Sequence, residues 1–440
     1  MADRLQVPQV PQRPAAPTSQ STSWFSNGLR RTASRSSLRR SASALKRSTS
    51  LLSIKNSKNN KSTASTIPSP NDTETETDKG DDDYINPLEQ GSRWLLTARA
   101  YALRQAAHLG FSLMNFSALA PTAVIWLDST LGKFRGKDKI KVEIWEPKSS
   151  EQQTAKNRLT IAKTNRPAII NFHGGGFVVG QGTDDAYWAG AAMKGIEAVV
   201  FSVNYRLAPE FPFPTPVEDC ADAIIQITSR AEEFGIDPDR VYISGFSAGG
   251  SLSLACWVLL QTPLRWGYEL AYKTPPKIAG FCLFYPLLDY TISRPKKRTT
   301  CSKPDLTLPK NMTDLFDASY LFPKLPKESR DDPRLSPGLM PDDILANLPP
   351  LHLCICEYDM LLAEGHTFAD RLRDLDKEIT VRVVEGAKHA WDKPPPMWPK
   401  KSVHIEYGHA LESMRRWMGG PEGSGSDSNV DSILKRIETV

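Results

Sequence analysis

Val241-Tyr242-Ile243-Ser244-Gly245-Phe246-Ser247-Ala248-Gly249-Gly250, followed by Ser251 and the apolar run Leu252 to Leu260, is the stretch from which the fold can be read. Its first four residues have the length and character of a short buried strand, and Leu252 to Leu260 reads as a buried helix. A serine flanked by glycines at a strand-to-helix turn is the pattern of a nucleophile elbow. Gly245 and Gly249 let the strand and helix approach closely. Ser247 then sits at a helix N-terminus, where unpaired backbone N–H groups favour a developing negative charge. Taken alone, the pattern is equally that of a Gly/Ser-rich loop, so its partners in the chain decide.

Upstream, Pro167-Ala168-Ile169-Ile170-Asn171-Phe172 reads as a strand running into His173-Gly174-Gly175-Gly176-Phe177. Three consecutive glycines leave backbone N–H groups unobstructed, which is what an acyl-transfer oxyanion requires. A flexible glycine turn is the competing reading, and the paired elbow argues against it. With Tyr205-Arg206-Leu207-Ala208-Pro209-Glu210 and Asp332-Pro333-Arg334-Leu335-Ser336-Pro337, these two motifs resemble the hormone-sensitive-lipase family of α/β-hydrolases over residues 138 to 418. One departure is visible: Phe246 stands where that family usually carries Asp.

The chain has 440 residues, with 55 Lys and Arg against 50 Asp and Glu, for a net charge of +5. That length holds one large domain with appendages. The charge is modest and uneven, and no nucleic-acid partner is expected. Cys220, Cys256, Cys282, Cys301, Cys354 and Cys356 show no metal spacing, and several fall in apolar runs, which reads as reduced, buried thiols. Met1 to Gln20 is polar and proline-rich rather than a signal peptide. A cytoplasmic protein, peripheral on a membrane or lipid droplet and not secreted, is the corresponding expectation.

Residues 1–92 are rich in Ser, Thr, Pro and charge, and read as a disordered tail. From Arg30 to Lys61 the tail is basic, with two basic residues before Ser or Thr in three short units. From Asp72 to Asp83 it is acidic. The basic part suits an anionic membrane or lipid-droplet surface, and its arrangement suits a basophilic kinase. A solvated tail without lipid affinity is the plainer reading. Residues 93–138 are expected to form an N-terminal helical cap: Trp94 to Leu127 is apolar and long enough to span a bilayer, but Gln105, His108, Asn115, Ser117 and Pro121 interrupt it. Family members carry such a cap segment.

From residue 139 to 418, strands (140–144, 199–203, 278–285, 350–356, 379–384) alternate with helices (219–229, 364–375, 403–417). This argues for an α/β fold, with a mostly parallel central sheet flanked by helices. Residues 290–332 break the rhythm and are expected to be an insertion that helps form the cap. Residues 419–440 read as a flexible C-terminal tail, with a helical turn at 433–437.

On this fold the acid and the histidine follow the serine. Asp359 lies just past the strand ending at Cys356, on the edge where α/β sheets bind ligands. The family's acid matches this position. Glu357 and Glu364 compete with it, although Glu364 is explained as an anion at a helix start. His389 follows the strand Val381 to Val384, and the family block matches it. His108, His352, His366, His404 and His409 fall in helices or a strand and read as structural. The resemblance implies that Gly175 and Gly176 donate to the oxyanion with Ala248, that Gly174 shapes the turn, and that His173 braces the loop. The expected activity is a serine carboxylesterase or lipase-like hydrolase acting on a small apolar ester through Ser247, His389 and Asp359 and an acyl-enzyme, with no metal and no organic cofactor. The alternatives are a non-catalytic small-molecule binder on the same fold, and an amide hydrolase or deacetylase.

Overall fold

The computed structural model describes residues 92–114, 118–147, 165–270, 275–393, 400–419 and 427–438, all within the unit Thr75–Val440. The tail expectation for residues 1–91 lies outside them. The described strands are β1 (Ala123–Asp128), β2 (Lys139–Trp145), β3 (Arg166–Phe172), β4 (Val199–Asn204), β5 (Ile236–Phe246), β6 (Gly280–Phe284), β7 (Leu351–Tyr358) and β8 (Ile379–Lys388). They form one sheet in the order β1-β2-β4-β3-β5-β6-β7-β8. β2 runs antiparallel to β1 and β4, and every pair from β4 to β8 is parallel. The helices are α1 (Arg93–Met114), α2 (Ala186–Ile196), α3 (Thr215–Ser229), α4 (Ala248–Gln261), α5 (Arg294–Thr299), α6 (Lys310–Tyr320), α7 (Asp342–Leu345), α8 (Leu362–Asp374), α9 (Lys401–Trp417) and α10 (Asp427–Glu438).

Successive residues of a strand point to opposite faces, so a sheet covered on both sides needs continuous apolar strands. In β3, Ala168, Ile170 and Phe172 enter a core shared with α3, α4 and α8, whereas Ile169 enters a second core with α2, α9 and α10. β6 divides likewise: Phe281 and Leu283 face the first core, Cys282 and Phe284 the second. All six cysteines are buried free thiols.

Two expectations about the chain ends are corrected. Residues 94–127 are not helical throughout: α1 ends at Met114, and Ala123–Asp128 is the edge strand of the sheet, paired with β2. The β-branched and aromatic run Val124-Ile125-Trp126 favours that pairing. The sheet therefore begins before residue 139. At the other end, residues 427–438 form α10, whose Ile433 and Ile437 are each 1% exposed. These residues, one helical turn apart, pack on α2 and α9, where Gly195 leaves room for both. Among the described residues, no helix is long and apolar enough to cross a membrane.

α1 is fastened to the sheet through the Tyr205–Glu210 block. Arg104 donates to the carbonyls of Val178 (2.7 Å) and Ala208 (2.6 Å) and pairs with Glu210 (2.8 Å). Arg206 pairs with the buried Asp219 of α3 at 2.7 Å. The segment after β6 is tied to α8: Glu364 of α8 accepts the Leu288 N–H (2.8 Å) and pairs with the buried Lys297 of α5. Glu364 is thus a buried anchor rather than a simple helix-end anion, because a carboxylate out of water needs a partner.

Candidate active site

The turn after β5 is shaped by space. A Cβ on Gly245 would stand 2.4 Å from the Gly249 carbonyl oxygen, and one on Gly249 would stand 1.9 Å from that of Phe172. Only residues without a side chain allow β3, β5 and α4 to meet this closely. Ser247 takes φ 51° and ψ −117°, a conformation rare outside glycine. Its N–H is held by the Phe284 carbonyl at 2.8 Å. Strained backbone of this kind clusters at functional sites.

The parallel register of β5, β7 and β8 brings their C-terminal ends to one edge. Asp359, just past β7, and His389, just past β8, meet there. His389 Nδ1 lies 2.5 Å from Asp359 Oδ2, and His389 Nε2 lies 2.8 Å from Ser247 Oγ. With the imidazole neutral, Nδ1–H donates to the carboxylate and Nε2 accepts from the serine hydroxyl. Asp359 is 1% exposed and also accepts the Leu361 N–H, at 3.1 Å. Of the competing carboxylates, Glu357 accepts the Gly386 N–H at 2.6 Å and Glu364 is held by Lys297.

Gly175 (φ 112°) and Gly176 (φ 59°) turn the loop after β3, and the Gly175 carbonyl caps the turn by accepting from Val178 and Val179. A Cβ on Gly174 would lie 3.5 Å from that of Ser247, so the loop rests against the elbow. His173 is buried and stacked on Tyr205 at 4.2 Å; its Nδ1 lies 2.7 Å from the Gly174 carbonyl, and Tyr205 donates to the His173 carbonyl at 2.8 Å. Burial pushes the His173 pKa down to about 4, so the ring is neutral near pH 7. Ala248 opens α4, where the first N–H groups of a helix have no partner within it.

A cavity of about 230 Å³ reaches Ser247, His389 and the three glycines. Its remaining wall is mostly apolar: Leu103, Ala107 and Phe111 from α1, Leu308 and, from α6, Met312 and Phe316. No group of three or more His, Cys, Asp or Glu fit for a metal occurs among the described residues. Sequence reasoning missed Tyr285, Asp392 and Lys393. The Tyr285 ring stands edge-on to His389 at 4.8 Å, and its hydroxyl donates to Asp392. Asp392 and Lys393 belong to no motif, and their proximity to His389 in the chain was the available signal.

The family described as alpha/beta hydrolase fold matches residues 169–393. An arylesterase of Saccharolobus solfataricus is 32% identical over 234 residues, covering 52% of this chain and 70% of the relative. An ethyl acetate hydrolase of Pseudomonas putida is 32% identical over 224 residues, covering 50% and 65%. The chain spans 57% of the length of the carboxylic ester hydrolase LipN of Mycobacterium tuberculosis, at 31% identity over 51% of this chain. Among solved structures, EstE1, a thermostable carboxylesterase from a metagenomic library, superposes with TM-score 0.58 at 25% identity, over 72% of this chain and 97% of that one.

Proposed function

The chain belongs to the α/β-hydrolase fold family, and on that premise we propose that it is a serine-dependent carboxylic ester hydrolase. The observation that carries this reading is the continuous hydrogen-bonded sequence Ser247–His389–Asp359 beneath the glycine loop. Ser247 Oγ attacks the ester carbonyl while His389 Nε2 takes its proton. Asp359 holds the imidazole tautomer and stabilises the imidazolium. The backbone N–H groups of Gly175, Gly176 and Ala248 receive the oxyanion, each worth roughly 3–4 kcal/mol in the transition state. His389 then protonates the leaving alcohol, and water, activated by the same histidine, cleaves the acyl-enzyme. The apolar wall favours an apolar ester of short to medium chain over long-chain triglyceride.

Ser247→Ala tests the reading. It removes one hydroxyl, so the fold stays intact while kcat on a butyrate ester falls by about 10⁶-fold. A serine-directed phosphonate labels the parent chain at Ser247 and leaves the variant unlabelled. Labelling of the variant at the parent rate overturns the assignment.

The partner reading extends to an anionic phospholipid surface. α1 exposes Trp94 (71%), Tyr101 (60%), Leu109 (65%) and Leu113 (66%), and residues 93–127 carry no Asp or Glu before Asp128. An aromatic and aliphatic face without carboxylates suits a headgroup region. The basic segment 30–61 adds about 1 kcal/mol of attraction per Lys or Arg near the surface. Phosphorylation within it, at about −1.5 to −2 charges per phosphate, opposes that attraction. The full chain is expected to co-sediment with phosphatidylserine-containing vesicles at low salt, and a chain truncated to begin near Gly91 to do so more weakly. Equal sedimentation of the two, or none by either, overturns the role of the tail.

A further inference from the structure

We infer that Lys393 and Phe246 form a positioning pair that locks the loop carrying His389 to the elbow carrying Ser247. The inference rests on the ester-hydrolase reading of this site. Lys393 lies four residues after His389, and its N–H closes a turn onto the Ala390 carbonyl at 3.0 Å. Ala390 itself has φ 57°. That turn reverses the chain, so the lysine side chain, 13% exposed, runs back under the cavity. Its ammonium stands 3.8 Å from the centroid of the Phe246 ring, 2.8 Å from Asp185 Oδ1 and 2.8 Å from Asp392 Oδ2.

Each of these contacts belongs to a different part of the catalytic machinery. Phe246 is the residue immediately before Ser247. Its ring is fully buried and lies parallel to that of Phe284 at 4.5 Å, with the edge of Trp188 at 6.2 Å. Asp185 closes the short turn after the glycine loop and accepts from Asn171 of β3 at 2.7 Å. Asp392 accepts from the hydroxyls of Tyr407 (2.7 Å) and Tyr285, and the Tyr285 ring backs the His389 imidazole. One ammonium thus joins the serine turn, the histidine loop and the end of the strand that feeds the oxyanion loop.

The chemistry explains why a cation is needed. Asp185 and Asp392 are 1% and 8% exposed, and two buried carboxylates facing one centre repel without a counter-charge. An ammonium has three donors. Two carboxylates and one ring face occupy all three directions, and a cation over an aromatic face is most strongly attracted where water is excluded. Burial would lower the lysine pKa, but Asp185 and Asp392 together raise it above the ordinary value, so the charge persists. The same side chain therefore neutralises the carboxylates and seats the phenyl ring. Replacing the ring removes the seat and leaves the ion pairs.

The test uses the full chain and a 4-nitrophenyl butyrate assay. Misplacing a catalytic group by about 1 Å costs about 100-fold in rate. Lys393→Met is expected to lower kcat by about that factor, with KM within about threefold of the parent, and Lys393→Arg to restore part of the loss. Phe246→Leu keeps both ion pairs, and is expected to lower kcat about tenfold, with the fold retained and the melting temperature lowered because a buried ring is lost. In the double variant the two losses are not additive, because one substitution already breaks the pair. Parental kcat in folded Lys393→Met, or fully additive losses, overturns the inference. If Lys393→Met does not fold, Phe246→Leu decides: parental kcat there overturns it. If the parent hydrolyses no ester, the functional reading fails separately, and crystal structures of the parent and Phe246→Leu decide the positioning role. The Ser247–His389 distance is expected to lengthen in the variant beyond about 3.5 Å, and an unchanged distance overturns the inference.

Discussion

Ser247 and His352 show how differently one hydrogen-bonding side chain is used at the edge of the sheet and within it. Ser247 takes a strained backbone at the end of β5 so that its hydroxyl meets His389. His352 lies within β7, fully buried; its Nδ1 is 2.9 Å from Ser413 Oγ of α9, and its Nε2 has no hydrogen-bond partner among the described residues. Burial, reinforced by the charges of His409, Arg382 and Arg416, pushes the His352 pKa down to about 3. The unfolded chain takes up a proton at this ring below its ordinary pKa of about 6.5, whereas the folded chain does so only near 3. The contribution is therefore fully present above pH 6.5 and is lost as pH falls toward 3. His352→Gln is expected to unfold at lower denaturant than the parent at pH 7, and the gap to close by about 2 kcal/mol by pH 5. Urea titrations at both pH values check this, and a gap independent of pH contradicts it.

Among the elements, α10 shows how little of a helix needs to be apolar. Ile433 and Ile437 are one turn apart, and both insert beside Gly195 and Leu411. The helix stays in place because those two side chains leave water, rather than through any intrinsic preference of a short helix. Ile433→Ala and Ile437→Ala are each expected to lower stability by about 2–4 kcal/mol without changing KM, since neither residue lines the cavity. A urea midpoint that does not move places α10 outside the cooperative unit.

At the scale of the molecule, two segments far apart in sequence share one task. α1 and α6 together supply Leu103, Ala107, Phe111, Met312 and Phe316 to the wall over Ser247. Phe316 also lies where a Cβ on Gly176 would collide with its ring, so α6 and the glycine loop are in direct contact. Phe316→Ala is expected to enlarge the cavity and move the preferred acyl chain to greater length, with hydrolysis of an acetate ester reduced severalfold or less. A chain-length series on the 4-nitrophenyl esters reads this directly. An unchanged preference assigns acyl selection to another wall.

The fold and the three hydrogen-bonded residues were legible because each rests on a local rule. Buried parallel strands are near-continuous apolar runs, as 167–172, 199–203 and 351–356 are, each broken by a single polar residue, Asn171, Ser202 and His352. A strand-to-helix turn this tight needs glycine at 245 and 249. The acid and the histidine must stand just past strand ends, which Asp359 and His389 do. The edge strand 123–128 was hidden inside an apolar segment whose pairing partner, β2, lies eleven residues beyond its end. α10 was hidden because its two buried isoleucines matter only against a surface formed by α2 and α9. Glu364 carried no sequence signal of its role, and Lys393 only its closeness to His389 in the chain, for an ion pair is defined by what surrounds it. The sequence by itself determined the order of strands and helices and the residues that must meet at the sheet edge, since backbone geometry and burial act locally along the chain. Only the tertiary structure decided which charges were buried together and which helices closed the cavity, because desolvation and packing depend on neighbours that are distant in sequence.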